Sequence, residues 1–104
     1  MWTLTEAVDW IRANNLMIES HNACVGLTGS VLFKGQSIKD LDVIVFPLKT
    51  SKSSPTPFEV CQLFGLNFIA DRTMAHMNYK EGDTKTVIHT EDNQGRRIDL
   101  FFLQ

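Results

Sequence analysis

The stretch Asp40-Leu41-Asp42-Val43-Ile44-Val45-Phe46-Pro47-Leu48 decides how the rest of the chain is read. Residues 41–48 are almost continuously apolar and rich in β-branched side chains, which predicts a central strand covered on both faces. Pairing should fade at Pro47, which has no N–H to give a ladder. Two acids open this strand. Residues i and i+2 share a strand face, roughly 6.6 Å apart along it, so Asp40 and Asp42 point the same way. Carboxylates in so apolar a setting are expensive unless something compensates their charge.

A third acid repeats the pattern. Asp99 sits inside Ile98-Asp99-Leu100-Phe101-Phe102, the next most apolar run. Both runs carry their acids near their N-terminal ends. They are therefore expected to be adjacent, roughly parallel strands, with the carboxylates converging to within about 10 Å. Three carboxylates that close cannot all stay ionised without a cation. Their hard oxygens suit Mg²⁺ or Mn²⁺. Two such ions, roughly 3.5–4 Å apart, can organise an in-line phosphoryl displacement. Upstream, Ala23-Cys24-Val25-Gly26-Leu27-Thr28 reads as a short buried strand stopped by Gly29-Ser30. Glycine lets the backbone approach a ligand closely, and turn amides ahead of a helical turn form an anion-binding concavity.

In order and setting, these elements resemble the nucleotidyltransferase superfamily typified by DNA polymerase β, especially its smallest members. The matching residues are Gly29-Ser30, nine intervening residues, Asp40-Leu41-Asp42-Val43-Ile44-Val45, and Ile98-Asp99-Leu100-Phe101-Phe102. The match runs over about residues 23–103. It implies that Gly29 and Ser30 hold nucleotide phosphates and that Asp40, Asp42 and Asp99 bind the divalent ions. Asp99 would also help deprotonate the attacking hydroxyl. The implied reaction moves a nucleoside monophosphate, by resemblance most often AMP from ATP, onto a hydroxyl of a protein, an RNA end or a small molecule. Many small members carry a basic residue soon after Gly-Ser. Here Val31-Leu32-Phe33 follow, leaving Lys34 or Lys39 to supply the charge. Arg97, two residues before Asp99 and on its face, is the strongest candidate for a phosphate contact, ahead of Arg96. Lys49 and Lys52 follow the far end of the strand and are set aside.

Around this centre the other elements interleave. Thr3-Leu4-Thr5-Glu6 is a capping box opening a helix over about 4–14, with Leu4, Val8 and Ile11 at helical spacing and an expected end near Asn14-Asn15. Trp2 and Trp10 are expected to pack it on the body, and 16–22 are ambiguous. Val31 to Lys34 can form one helical turn. Thr56-Pro57-Phe58-Glu59 is a second capping box, whose helix should end at Gly65. Residues 66–80 carry conflicting signals. Residues 85–90 and 96–103 read as a hairpin about Asp92-Asn93-Gln94-Gly95. The expected fold is α/β (α+β): a small mixed β-sheet with helices, in one domain over 1–104.

Composition narrows the function classes. Of 104 residues, 43% are hydrophobic and 21% charged, as in an ordinary globular protein. Ten basic against twelve acidic residues give a net charge of −2, so no broad nucleic-acid-coating surface is expected. No run approaches a membrane span and no signal peptide is visible, so the expectation is a cytoplasmic protein. Cys24 and Cys61 read as buried, reduced thiols. His21, His76 and His89 show no metal-ligand spacing. Partners are then an NTP, an acceptor, and a protein partner or second copy. The other reading is a non-catalytic binding module on the same fold, an antitoxin-like or inhibitor partner protein.

Overall fold

The computed structural model describes residues 1–37, 40–48, 55–75 and 84–102, with backbone alone for 72–75 and 84–85. In chain order the elements are β1 (Trp2–Thr3), α1 (Leu4–Ile18), a 3-10 turn (Glu19–His21), β2 (Ala23–Thr28), α2 (Gly29–Lys34), β3 (Gln36–Ser37) and β4 (Asp40–Pro47). There follow α3 (Pro57–Leu63), β5 (Asn67–Ala75), β6 (Thr84–Glu91) and β7 (Arg97–Phe102). The main sheet has five strands in the order β2-β4-β7-β6-β5, and β1 pairs separately with β3. All neighbours in the main sheet are antiparallel except β4 and β7, which run parallel. The two acidic strands are thus adjacent and parallel, as their acid placement predicts. This mixed α+β architecture, a small mixed sheet with helices, is the one the sequence predicts.

Local chemistry explains the element ends. Thr3 and Glu6 form the expected capping box: the Glu6 amide donates to Thr3 Oγ1 and the Thr3 amide to Glu6 Oε1. The helix does not stop at Asn14-Asn15 but runs to Ile18. Both asparagine amides are engaged in ways compatible with helix. Asn14 Nδ2 donates to the Trp10 carbonyl at 2.8 Å. Asn15 reaches across to the sheet, accepting from the Val25 amide at 2.8 Å and donating to the Val25 carbonyl at 3.0 Å. Since β2 is an edge strand, Asn15 satisfies backbone groups that a neighbouring strand would otherwise take. Thr56 and Glu59 repeat the capping box at α3. Gly65 ends it in the left-handed conformation, with the Leu66 amide returning to the Cys61 carbonyl. The hairpin turn is held by Asp92, whose Oδ1 accepts from the Gln94 and Arg96 amides.

The core gathers on one side of the sheet. Leu41, Val43 and Val45 of β4, Ile98, Leu100 and Phe102 of β7, and Val25 and Ile88 are buried against Ala7, Ile18, Val31, Val60 and Cys61. Trp10 packs edge-on against Phe64, with ring centroids 5.3 Å apart. Trp2 is buried, and its indole N–H donates to the Arg97 carbonyl. Two-sided coverage of β4 does not hold. Leu41, Val43 and Val45 alternate with half-exposed Asp40, Asp42 and Ile44. The apolar run reads as continuous because its second face carries Ile44 and Phe46 beyond the acids; that face is open where the carboxylates stand. Residues 67–75, left open by the sequence, form β5. No helix among the described residues is long and apolar enough to cross a membrane.

Candidate active site

Strand register builds the site. Asp42 lies opposite Asp99 across the parallel β4–β7 pair, and Asp99 lies opposite His89 across the antiparallel β7–β6 pair. On the other side, Thr28 of β2 lies opposite Asp42. Residues paired across strands share a sheet face. Thr28, Asp42, Asp99 and His89 therefore form one row over four strands, on the face away from the core. One pleat along, Asp40 pairs with Arg97. The expected convergence follows: one carboxylate oxygen from each of Asp40, Asp42 and Asp99 lies within 4.8 Å of the others.

Gly29 shapes the opposite wall. Its φ is +73°, in the left-handed region, and a Cβ built there would sit 2.8 Å from Asp42 Cβ and Cγ, with Oδ2 nearer still. Only glycine accommodates both constraints. The close approach it permits is between backbone and the Asp42 carboxylate. Ser30 follows, exposed, in the first turn of α2. A side chain at 29 would displace the acid that opens the row.

Charge is unbalanced here. Asp99 is the most buried of the acids, at 5% exposure. Its Oδ1 lies 2.6 Å from His89 Nδ1 and 3.6 Å from Arg97 Nη2. The Asp40 carboxyl is pushed up to about 6, first by its hydrogen bond with Asp99, then by burial and by the charges of Asp99 and Asp42, with Arg97 opposing. Below about pH 6 the Asp40 carboxyl keeps its proton, which eases its repulsion with the neighbouring acids. Three hard oxygen donors in this space fit a divalent ion such as Mg²⁺ or Mn²⁺.

Of the residues singled out by sequence, the structure brings together Gly29, Asp40, Asp42, Arg97 and Asp99. Ser30 stands beside them in sequence, at the start of α2. Lys39, Lys49 and Lys52 lie outside the described residues. Lys34 ends α2, exposed. Arg96 is engaged elsewhere, with Glu6, Asp92 and the Trp2 ring. His89 is the residue that sequence reasoning passed over. A search for metal-ligand spacing could not find it. Counting back from the hairpin turn could, because the register that pairs Glu91 with Arg97 also sets His89 opposite Asp99.

Solved structures similar to this one include a cytoplasmic RNA terminal U-transferase, at 14% identity and a TM-score of 0.50. Another is the Cid1 poly(U) polymerase in its MgGTP-bound form, at 15% identity and a TM-score of 0.51. Each match covers 95% of this chain but only 28% and 32% of the neighbour. The chain thus spans about a third of their length, and the likeness is one of fold. No family model and no curated protein matches the sequence.

Proposed function

We propose that this chain is a metal-dependent nucleotidyltransferase that moves a nucleoside monophosphate from an NTP to an acceptor hydroxyl and releases pyrophosphate. The observation that carries this reading is the convergence of Asp40, Asp42 and Asp99 from a parallel strand pair. The acceptor oxygen bonds to the α-phosphorus while the bond from that phosphorus to the β-phosphate bridging oxygen breaks. The hydroxyl proton passes to a carboxylate of the triad, Asp99 by the resemblance. Asp40, Asp42 and Asp99 would hold Mg²⁺ or Mn²⁺. When bound, such ions neutralise the phosphates and stabilise charge on the attacking and leaving oxygens. Gly29 keeps Asp42 in place, Ser30 offers a hydroxyl to phosphate, and Arg97 adds a fixed positive charge; Lys39 is assigned phosphate contact by sequence alone.

ATP is the donor the sequence resemblance favours, in a cytoplasmic setting. The neighbours are described by U transfer and UTP selectivity, so UTP belongs in the test on equal terms. The experiment incubates the protein with each α-labelled NTP, Mg²⁺ or Mn²⁺, and acceptors drawn from RNA ends, proteins and small alcohols. Label transfer that disappears in Asp42→Asn is expected. A melting temperature that rises with millimolar divalent ion is expected too, because a bound cation stabilises the folded state. Absence of transfer from every NTP, with no response of the melting temperature to metal, overturns the reading. Partner binding that survives Asp40→Asn with Asp42→Asn would then identify a binding module.

A further inference from the structure

His89 is not part of the acidic motif, yet it makes a short polar contact with one of the acids. Its Nδ1 lies 2.6 Å from Asp99 Oδ1, with side-chain exposures of 18% and 7%. The same Nδ1 lies 3.2 Å from Arg97 Nη2. These contacts cannot both be hydrogen bonds. Guanidinium nitrogens only donate, and an ionised carboxylate only accepts. If Nδ1 were bare it could accept from Arg97, but it would then set a lone pair against the Asp99 carboxylate. A proton on Nδ1 resolves the shorter contact, leaving Arg97 as a neighbouring charge. Both the neutral Nδ1–H tautomer and the imidazolium satisfy this, so the contact needs no change of ionisation.

The geometry points to His89 as a positioning residue. Its Nδ1–H donates to Asp99 Oδ1 and fixes the rotation of that carboxylate, so that Asp99 meets a divalent ion together with Asp40 and Asp42. This inference rests on the metal-binding reading of the triad. A carboxylate on a single χ2 axis turns readily, and Asp99 also shares a hydrogen bond with Asp40. Without His89, Asp99 is left with Asp40 and, at 3.6 Å, Arg97 to orient it. The anchor is rigid because β6 and β7 are locked in register along their length, from Glu91↔Arg97 to Thr86↔Phe102. Hydrogen-bond partners of metal ligands typically contribute 10–100-fold to metal affinity.

The test measures Mn²⁺ binding directly, by the electron paramagnetic resonance of unbound ion, in wild type, His89→Leu, His89→Asn and Asp42→Asn. Folding is checked by circular dichroism in chelator. The Asn side chain places an N–H close to where Nδ1 stands, while Leu fills the space without a donor. Expected are binding weakened roughly 10–100-fold in His89→Leu, binding within a few-fold of wild type in His89→Asn, and loss of binding in Asp42→Asn. Wild-type binding with an unchanged His89→Leu overturns the His89 role alone. Equal weakening by Leu and Asn overturns it too, since shape rather than the donor would then matter. A wild type that binds no Mn²⁺ overturns both this role and the reading of the triad. Should His89→Leu not fold, nitrogen-15 spectra of wild-type histidine decide: a protonated Nδ1 at His89 is expected, and a bare one overturns the assignment.

Discussion

Arg96 and Arg97 are consecutive, but Arg96 closes the hairpin turn while Arg97 opens β7, and they meet different partners. Arg96 joins a cluster that closes on itself. Its Nε lies 2.9 Å from Asp92 Oδ2, its Nη1 3.0 Å from Glu6 Oε2, and its guanidinium 3.8 Å from the Trp2 ring centroid. Each acid there has other donors as well: Asp92 takes two backbone amides and Glu6 completes the cap of α1. Arg97 lies beside Asp40 and Asp99, with its Nη2 3.6 Å from Asp99 Oδ1. One cluster holds parts of the fold together. The other keeps surplus negative charge in a confined space, the arrangement a cation would complete.

The largest expected effect comes from removing that surplus. Asp42→Asn should lower nucleotidyl transfer by at least roughly 10³-fold, because several kcal/mol of charge stabilisation leave with the ligand. A steady-state rate with labelled NTP measures this, and a residual rate near wild type would equate the two clusters. Next come the glycines. Gly29→Ala should destabilise by about 2–4 kcal/mol, combining left-handed strain with the clash against Asp42. Gly35→Ala has a similar φ of +79° but open space around the new Cβ, and should cost only about 1 kcal/mol. Urea unfolding of both variants separates strain from contact.

Arg96→Met should destabilise by about 1–2 kcal/mol through loss of its partly exposed ion pairs and its stacking on Trp2. The shift of melting temperature caused by Mn²⁺ should remain as in wild type. A changed metal response would break the separation of the clusters. The smallest effect is one of pH. Asp40 is held at about 6, above its ordinary 3.8, so between those values the folded state binds more protons than the unfolded chain. Its contribution to stability is full below about pH 4 and fades as pH rises through 6. Metal-free melts between pH 4.5 and 7.5 should show this slope, and Asp40→Asn should flatten it.

Much of this was legible in the residues. Acid placement in two apolar runs predicted the parallel pair of β4 and β7, and the capping boxes located the starts of α1 and α3. Other features escaped for physical reasons. Asn14 and Asn15 look like a helix stop because their short amides compete for local backbone. Here one bonds back along the helix and the other crosses to β2, so nothing local ends α1. β5 was hidden because its alternation breaks: the register shifts between Phe68 and Ala70, leaving half-exposed Ile69 at a bulge. Phe58, in the first turn of α3, is mostly exposed and meets Phe68 of β5 at 5.5 Å between ring centroids, a contact that only the tertiary structure brings about.

The sequence by itself determined which chemistry was available: three acids in apolar strands, a glycine ahead of them, and an arginine sharing the face of the last acid. Those follow from local rules of spacing, face and turn, which act over a few residues. Tertiary structure alone decided which partners meet. Strand order put β4 beside β7, register set Asp42 level with Asp99, and the hairpin carried His89 to the same row. These meetings join residues distant along the chain. Register is set by packing the shared apolar face, so its consequences on the opposite face emerge only when the whole sheet forms.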